Sequence, residues 1–589
     1  MTKTFCRIAC RLKPVTHGLL LLLVCSLQLD ARSQSPAPPP STAHLPSQAA
    51  AAPSLPPATQ PQAPIPQAPP STQGRPATPD TPAYWQQEVH YDIRVTLNDI
   101  DNSLKGNETI VYVNHSPDTL SFIYIHLWPN AYKDNTTALF KQLSQIEERK
   151  GKLNKIKENG YIDHLAFTVD GVKAIAQPHP QYIDIIKLLL PAKIPPGGQI
   201  SIATPFYVRI PSYFSRLGHE GQSYMITQWY PKPAVYDRKG WHEMPYLDQG
   251  EFYSEFGSFD VHITLPAPYV VGATGILQDQ AELSHYKSIG MHNRRADTTS
   301  PALMLPYRAK DPKTLKTLDY HADSVHDFAW FADKSLTIDY DTLQLGSGRI
   351  IDVFSYYRPG TARLWRHSVS YIKDAVLHYS KWVGEYPYPV VSAVEGPGNI
   401  SSGGMEYPTI TLITSPGVDK ADLDGVIAHE VGHNWFYGAL GSDEREYPWM
   451  DEGINTFYEF RYEAEKYRAN SLLGSMMPAE VRKLPLDKFL EAIYSALNQL
   501  KTTEPIETPA TGFSSEFEYD LVVYAKTAAW MDGLQKTIGT DDFEKGMQNY
   551  FSNWKFKHPY PEDLKTSLEQ VTHSSLDTSF DLLNKNGAF

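Results

Sequence analysis

The stretch from His429 to Glu452 constrains this chain more than any other part of its sequence. It begins with HEVGH, in which two histidines stand four positions apart around Glu430, and Glu452 follows His433 after eighteen intervening residues. On a helix, positions i and i+4 share a face, so both histidines can reach one cation while Glu430 lies beside them. By itself, H-E-x-x-H leaves two interpretations open: a zinc site, or a solvated or core pair of histidines.

Glu452 favours the first interpretation. The segment PWMDEGINTFYEF predicts a second helix that begins near Glu452, and the turn-rich GALGSDEREYP before it lets this helix pack against the first. Two histidines and one carboxylate form the usual three-protein-ligand set of a catalytic zinc ion, which leaves one coordination position open. We therefore predict one Zn²⁺ per chain, held by His429, His433 and Glu452, with Glu430 as general base toward an attacking water.

The N-terminal segment predicts export. Basic residues precede the apolar run GLLLLLVCSLQL, which is too short to span a bilayer comfortably. We assign residues 1–31 to a signal peptide, with a retained anchor as the alternative, and expect no transmembrane helix in the mature chain. All three cysteines (Cys6, Cys10 and Cys25) lie in this segment, so a metal in the remainder must be held by His, Asp or Glu.

Residues 32–82 have the composition of a linker. Sixteen of the 47 prolines lie there, among Ala, Gln, Ser and Thr, and such a segment cannot bury a core. We expect a disordered, Pro-rich tether. The predicted location is periplasmic or extracellular, with attachment to the cell envelope through this tether as a further option.

The folded part divides into two regions with different hydrophobic patterns. Short runs rich in β-branched and aromatic residues predict a β domain over residues 83–348, whereas residues 349–589 change to helical periodicity after two strand-like runs, PVVSAVEG and TITLIT. The net charge of −13 carries no global basic signature, so we expect no nucleic-acid partner.

The pattern H-E-x-x-H-x18-E resembles the aminopeptidase N family of zinc metallopeptidases, the peptidase family M1 gluzincins that include leukotriene-A hydrolase. WMDEG is similar to that family's W-L-N-E-G and departs from it at Met450 and Asp451. The resemblance covers most of the chain from Tyr84 onward. It implies a multidomain α and β fold: an N-terminal saddle-like β-sandwich domain, then a thermolysin-like, mostly α-helical zinc catalytic domain.

A second resemblance lies upstream. Gly403, Gly404, Met405 and Glu406 resemble the G-x-M-E-N motif of the family, with Tyr407 in place of the usual Asn. The resemblance implies that Glu406 pairs with the free α-amine of a peptide, while the glycines let the substrate backbone approach the strand edge. Taken without the resemblance, the same residues fit an ordinary Gly-rich turn beside a strand.

Two further segments resemble the family. EYDLVVYAK places Tyr524 where the family has the tyrosine that donates to the oxyanion, and Tyr519 matches a second tyrosine of some members. MITQWY resembles the T-Q-x-[EQ] segment that lines the first substrate pocket, with Gln228 at the first matching position and Tyr230 replacing the acid or amide.

The resemblance implies a zinc-dependent aminopeptidase that removes residues from peptides with a free N-terminus. Three alternatives stay open. The chain could be a zinc endopeptidase that ignores the free amine, a non-catalytic peptide-binding protein on the same scaffold, or an enzyme with an epoxide hydrolase side activity.

Overall fold

The computed structural model describes residues 84–146, 153, 156–296, 304–398, 403–414, 417, 419–467, 484–499 and 503–587. The predicted signal peptide at 1–31 and the predicted linker at 32–82 lie outside these residues. The described residues from Trp85 onward fall into one compact unit. Within the described ranges, none of the helices combines the length and apolar character that crossing a membrane requires.

A nine-stranded sheet dominates the first half of the described chain. Its strand Glu88–Asn98 alternates buried and solvent-facing residues, the period-2 pattern of a sheet with one covered face. This strand pairs in parallel with Gly257–Pro266 and antiparallel with Ser103–Val113. The remaining strands of the sheet are Ile276–Leu277, Leu315–Val325, Gln199–Arg209, Tyr161–Asp163, Thr168–Val169 and Val172–Lys173.

Three smaller sheets accompany it. Two have four strands and one is a two-stranded hairpin. Their strands are, sheet by sheet, Gly218–Glu220, Ser223–Ile226, Trp330–Asp333 and Val270–Ala273; Lys232–Pro233, Leu120–His126, Ile185–Ile194 and Ile175–Pro178; and Tyr236–Asp237 with Gly240–Trp241.

One long helix interrupts the β-rich region. It was not predicted, because the residue pattern of this part of the sequence is mainly strand-like. Gln280–Arg295 forms sixteen residues of helix, and the Asp279 side chain caps its start by accepting from the backbone N–H groups of Ala281 and Glu282. Glu282 in the first turn and Arg294 and Arg295 in the last complement the helix dipole. Local capping and charge thus stabilise a helix between strands.

A five-stranded mixed sheet leads into the helical half. Its order is Thr337–Gln344, Ile350–Tyr357, Val390–Glu395, Ile410–Ile413 and Gly404–Tyr407, so both predicted strand-like runs are strands. The first of these strands precedes the boundary predicted at 348/349 and pairs with the strand after it. We therefore propose that the boundary of the second domain lies near residue 336, since a domain boundary seldom divides a hairpin.

Helices form most of the remainder. Besides Gln280–Arg295, the α-helices are Ala138–Gln145, Ala362–Trp365, Ser368–Trp382, Lys420–Gly432, Glu452–Tyr467, Leu486–Gln499, Glu516–Tyr519, Thr527–Ile538, Thr540–Trp554, Pro561–Thr572 and Asp577–Asp581. The described chain is thus β-rich first and mainly helical afterwards, which confirms the predicted fold class.

Candidate metal centre and active site

Two helices bring the HEVGH residues and Glu452 together. The first, Lys420–Gly432, begins at Asp419, whose carboxylate accepts from the backbone of Ala421 and Asp422 in a capping box. Its last turn carries His429 and ends at His433. The second, Glu452–Tyr467, begins with Glu452 itself. The glutamate therefore enters the site from the first residue of a helix packed against the first one, as the turn-rich segment between them predicted.

The geometry of these three side chains fits a metal ion. His429 Nε2 lies 3.1 Å from His433 Nε2 and 3.2 Å from Glu452 Oε2, and His433 Nε2 lies 3.3 Å from the same oxygen. Ligands at about 2.0–2.2 Å from a tetrahedral zinc ion stand roughly 3.3 Å apart. The three atoms therefore form the triangle that one zinc ion would require, with an open side toward the cleft.

The other ring nitrogens of both histidines are held by carboxylates. His429 Nδ1 lies 2.9 Å from Glu459 Oε2, and His433 Nδ1 lies 2.6 Å from Asp451 Oδ1. An imidazole that donates Nδ1–H to a carboxylate presents Nε2 as a basic lone pair, in a fixed orientation. Both rings are thus set for metal binding through the nitrogen that belongs to the triangle.

Glu430 lies against the strand Gly404–Tyr407. A Cβ atom on Gly404 would come within 2.1 Å of Glu430 Oε1, so this position requires glycine for the close approach of the carboxylate. The second oxygen, Oε2, has no hydrogen-bond partner among the described residues. Glu430 therefore presents one free carboxylate oxygen next to the ligand set.

Tyr524 lies in a π-helical segment, Asp520–Lys526. Its side chain is partly buried, whereas the neighbouring Val522, Val523 and Ala525 are buried. A π-helical turn re-aims side chains and is common at functional sites. The Tyr524 hydroxyl donates to Glu452 Oε1 over 2.6 Å. Burial and the nearby Glu452 raise the pKa of this hydroxyl well above its ordinary value, so it remains a donor at neutral pH.

Tyr519 packs beside it, with ring centroids 6.2 Å apart, and is buried. Its ring also meets Phe513 edge to face. These contacts give Tyr519 a packing role next to Tyr524.

A wall of carboxylates borders the ligand set. One oxygen each from Glu251, Glu406 and Glu452 lie within 4.8 Å of one another. One oxygen each from Glu406 and Glu430 and one ring nitrogen of His433 form a second group within the same distance. Glu251 is 8% and Glu406 5% exposed, so both residues are largely buried. One further oxygen on each of them has no hydrogen-bond partner among the described residues. The wall offers unpaired acceptors beside the proposed metal.

Arg216 holds part of this wall in place. Its guanidinium forms an ion pair with Glu251 and another with Asp248 over 3.3 Å, and its Nε lies 3.0 Å from the sulfur of Met405. Arg216 therefore joins the β-rich region to the strand that carries Glu406. Of the sequence-predicted residues, Gly404 lies against Glu430 and Glu406 lies next to His433, both on the edge strand Gly404–Tyr407 that also carries Met405; Gly403 immediately precedes this strand.

Sequence reasoning missed Glu251 and Glu459. Glu459 follows Glu452 by seven residues, two helical turns, so the shared helix face was a usable signal. No sequence signal pointed to Glu251, because it lies in an irregular segment of the β-rich region and reaches the site only through tertiary packing.

Gln228 and Tyr230 are buried in the β-rich region. Gln228 Nε2 donates to Asp327, and the Tyr230 hydroxyl donates to the other oxygen of Asp327 over 2.9 Å. Lys232 completes the cluster with an ion pair of 2.8 Å to Asp327. The polar ends of the predicted pocket residues therefore meet a buried carboxylate, while Gln228 Oε1 has no hydrogen-bond partner among the described residues.

Comparisons with known proteins agree with this geometry. Residues 374–582 match the family model described as the peptidase family M1 domain. Aminopeptidase 2 of Candida albicans is 25% identical over 40% of this chain and 25% of its own length. Glutamyl aminopeptidase of Rattus norvegicus is also 25% identical, again over 40% of this chain and 25% of its own. The chain thus spans about a quarter of the length of the curated relatives it matches.

Solved structures share the fold over a longer range. The M1 zinc metallopeptidase from Deinococcus radiodurans superposes with a TM-score of 0.55 at 15% identity, over 86% of this chain and 94% of its own. Aminopeptidase A of Legionella pneumophila gives 0.58 at 13% identity, over 86% of this chain and 50% of its own. Residues 374–582 therefore match a peptidase family M1 domain, and the described chain shares its fold with solved M1 metallopeptidases.

Proposed function

We propose that this protein is a zinc-dependent aminopeptidase that removes residues one at a time from the free N-terminus of peptides. The observation that carries the proposal is the carboxylate wall next to the ligand triangle. Glu251, Glu406 and Glu452 each place an oxygen within 4.8 Å of the others. Glu251 and Glu406 each keep one buried oxygen without a hydrogen-bond partner among the described residues, and a positively charged α-amine would pair with them. A peptide anchored there would bring its first peptide bond to the metal site.

Zinc would be bound by His429, His433 and Glu452, one ion per chain. The donor set of two imidazoles and one carboxylate, with an open fourth position, fits catalytic zinc. When bound there, zinc supplies Lewis acidity that polarises the scissile carbonyl and activates the attacking water. Glu459 and Asp451 hold the two imidazoles in the tautomer that this binding needs.

Glu430 acts as general base in this proposal. One oxygen of its carboxylate lies within 4.8 Å of a ring nitrogen of His433, so the group would be placed to take a proton from the attacking water and return it to the leaving amine. Burial raises its pKa to about 7, even though His429 and His433 act in the opposite direction. A carboxylate whose pKa lies near neutrality can both accept and donate within one turnover.

Tyr524 is the oxyanion donor in this proposal. Its hydroxyl contacts Glu452 and is therefore next to the proposed metal, within reach of the carbonyl oxygen of a bound substrate. Moving the hydroxyl hydrogen bond from the ligand to the developing oxyanion would stabilise the transition state more than the ground state.

The amine site is formed by Glu251 and Glu406 in this proposal. Arg216 neutralises part of Glu251 and fixes its position, and Glu406 comes from the edge strand along which the substrate backbone would lie. Gln228 and Tyr230 remain proposed residues of the first substrate pocket, together with Gly403, Gly404 and Met405 along the strand edge.

A panel of aminoacyl arylamides, each free and N-acetylated, tests the proposal. We expect cleavage of the free forms only, loss of activity with a zinc chelator, and recovery when zinc is added back. Equal cleavage of the acetylated forms would favour a zinc endopeptidase. Stoichiometric zinc without turnover of any substrate would favour a non-catalytic peptide-binding protein.

We also propose that the protein is exported through the segment at 1–31 and tethered by the segment at 32–82. Cell fractionation with an antibody against the folded part tests this. Recovery of the full-length chain in the cytosol would contradict it.

A further inference from the structure

The loop between the two ligand helices carries three consecutive buried charges, Asp443, Glu444 and Arg445. Two of them are paired. Asp443 Oδ2 lies 3.0 Å from the imidazole of His242, and Arg445 donates to the backbone carbonyls of Gly250 and Glu251. Glu444 differs, because neither of its carboxyl oxygens has a hydrogen-bond donor among the described residues. A buried carboxylate with no donor is costly, so its surroundings must supply a proton or a cation.

Glu444 faces Asp451. Oxygens of Glu444, Asp451 and Glu406 lie within 4.8 Å of one another, and Glu444 is in side-chain hydrogen-bonding range of Asp451. Asp451 Oδ1 is occupied by His433 Nδ1 at 2.6 Å, whereas Oδ2 has no donor among the described residues. The carboxyl groups of Glu444 and Asp451 therefore meet behind His433, and a proton on Glu444 would give Asp451 Oδ2 a donor.

Neither residue can meet a substrate. Glu444 and Asp451 are both 0% exposed, whereas Glu406 in the same group is 5% exposed. Burial, and then Asp451 and Glu251, raise the pKa of Glu444 well above its ordinary value, which favours its acid form. The pair thus belongs to the support of the metal centre rather than to the substrate site.

We propose that Glu444 is a positioning residue for the metal centre: as a carboxylic acid it donates to Asp451 Oδ2 and so holds the Oδ1 that accepts from His433. The proposal rests on the metal site of the proposed function. Carboxylates that orient metal-bound imidazoles are fixed in turn by hydrogen bonds, and losing such support typically weakens metal binding about 10- to 100-fold.

The chemistry of position 451 supports this assignment. Asp451 has two acceptor oxygens, so it needs a second donor, and Glu444 is the side chain placed to be one.

Two variants with opposite properties test the proposal. Glu444→Gln keeps a donor of the same length and loses the acid, whereas Glu444→Asp keeps the acid and withdraws it from Asp451 by one methylene. The measurement is the zinc dissociation constant of the full chain, by competition with a chromophoric chelator. We expect Glu444→Gln to stay within about threefold of the unmodified protein and Glu444→Asp to bind zinc about tenfold more weakly or worse.

Matched controls come from the same loop. Glu446 is exposed, so Glu446→Gln and Glu446→Asp should leave zinc binding unchanged. Melting temperatures of all four variants separate a loss of metal affinity from a loss of folding. If Glu444→Asp fails to fold, a Glu444→Gln variant that binds zinc at least tenfold more weakly would still overturn the proposal.

Two other outcomes also overturn it. Unchanged zinc affinity in folded Glu444→Asp would show that Asp451 needs no support. A second cation per chain by elemental analysis, lost in Glu444→Gln and kept in Glu444→Asp, would show that Glu406, Glu444 and Asp451 hold a metal. If the unmodified chain binds no zinc at all, the proposed function fails instead, and the two failures are thereby distinguished.

Discussion

The ligand triangle and the carboxylate wall border each other and share Glu452, but the chain builds them in different ways. The triangle comes from two consecutive helices, and its three residues lie between His429 and Glu452. The wall joins Glu251 of the β-rich region to Glu406 of the five-stranded sheet, far apart in sequence. Helical periodicity alone can specify the triangle, whereas the wall exists only once the two regions are packed.

This difference indicates which residues of the proposed enzyme carry out bond cleavage and which select peptides with a free N-terminus. Residues of the helices would carry the bond-breaking steps, and residues of the packed interface would decide which chain end is admitted. Changes on the helical side should therefore act on kcat, and changes on the wall should act on KM and on the preference for a free amine.

The largest effect is expected for Glu430→Gln. The amide cannot accept a proton, so kcat should fall by about 10²–10⁴-fold while zinc stays bound. Steady-state kinetics and elemental analysis of the same preparation check this. Near-normal kcat in the zinc-loaded variant would remove Glu430 from the chemistry.

The second largest loss of kcat is expected for Tyr524→Phe. Loss of one oxyanion donor typically lowers kcat by about 10²–10³-fold, and the ring itself is kept. Tyr519→Phe is the matched control, because that tyrosine is buried against Phe513 and should change kcat little. Equal losses in both variants would mean that the π-helical segment, rather than one hydroxyl, is being disturbed.

Glu251→Gln should act mainly on binding. One charge-assisted contact to the α-amine contributes about 1.5–3 kcal/mol, so KM for free arylamides should rise roughly 10- to 100-fold while kcat changes less. Glu243→Gln, a half-buried glutamate of the same segment, serves as control. A fall in kcat with unchanged KM would place Glu251 with the helical residues and break the comparison.

The smallest expected effect is a change in folding stability with pH. It concerns His242, which links the β-rich region to the loop between the two ligand helices. It lies 2.8 Å from Asp237 and 3.0 Å from Asp443 of the ligand loop. Burial alone would lower the pKa of His242, but these two carboxylates outweigh it and raise the pKa to about 10. The stabilisation is therefore complete below the unfolded pKa of about 6.5 and is lost as the pH rises toward 10.

We expect the melting temperature to fall between pH 6.5 and 10.5 by about 1 °C for each 1 kcal/mol lost, because a folded unit of about 500 residues has a large unfolding entropy, and we expect His242→Gln to remove most of that slope. The exposed His285→Gln is the control and should keep it. An unchanged slope in His242→Gln would assign the alkaline loss to other groups.

The same difference between local and tertiary contacts explains which features of the fold and the site could be predicted from the sequence. The spacing of HEVGH and Glu452 predicted the triangle because helical geometry depends on local sequence. The fold class was predicted because alternation and helical periodicity differ over long stretches. The helix Gln280–Arg295 was missed, because its polar face gives little periodic signal and capping by Asp279 is visible only once the helix is suspected.

The wall could be predicted only in part. Glu406 was found through a motif, whereas Glu251, Arg216 and Glu444 have no local pattern that points to the site. Their roles depend on which side chains meet in a buried, poorly solvated space, and single-sequence reasoning cannot supply that.

The loop that joins the two ligand helices has a consequence for how the proposed enzyme measures its substrate. Arg445 in this loop binds the carbonyls of Gly250 and Glu251, while the ends of the loop lead directly into the helices that bear the ligands. The distance from the wall to the triangle is thus set by one short stretch of backbone. In the proposed enzyme, this backbone connection would fix how far the bound chain end lies from the metal, and so which peptide bond is cut.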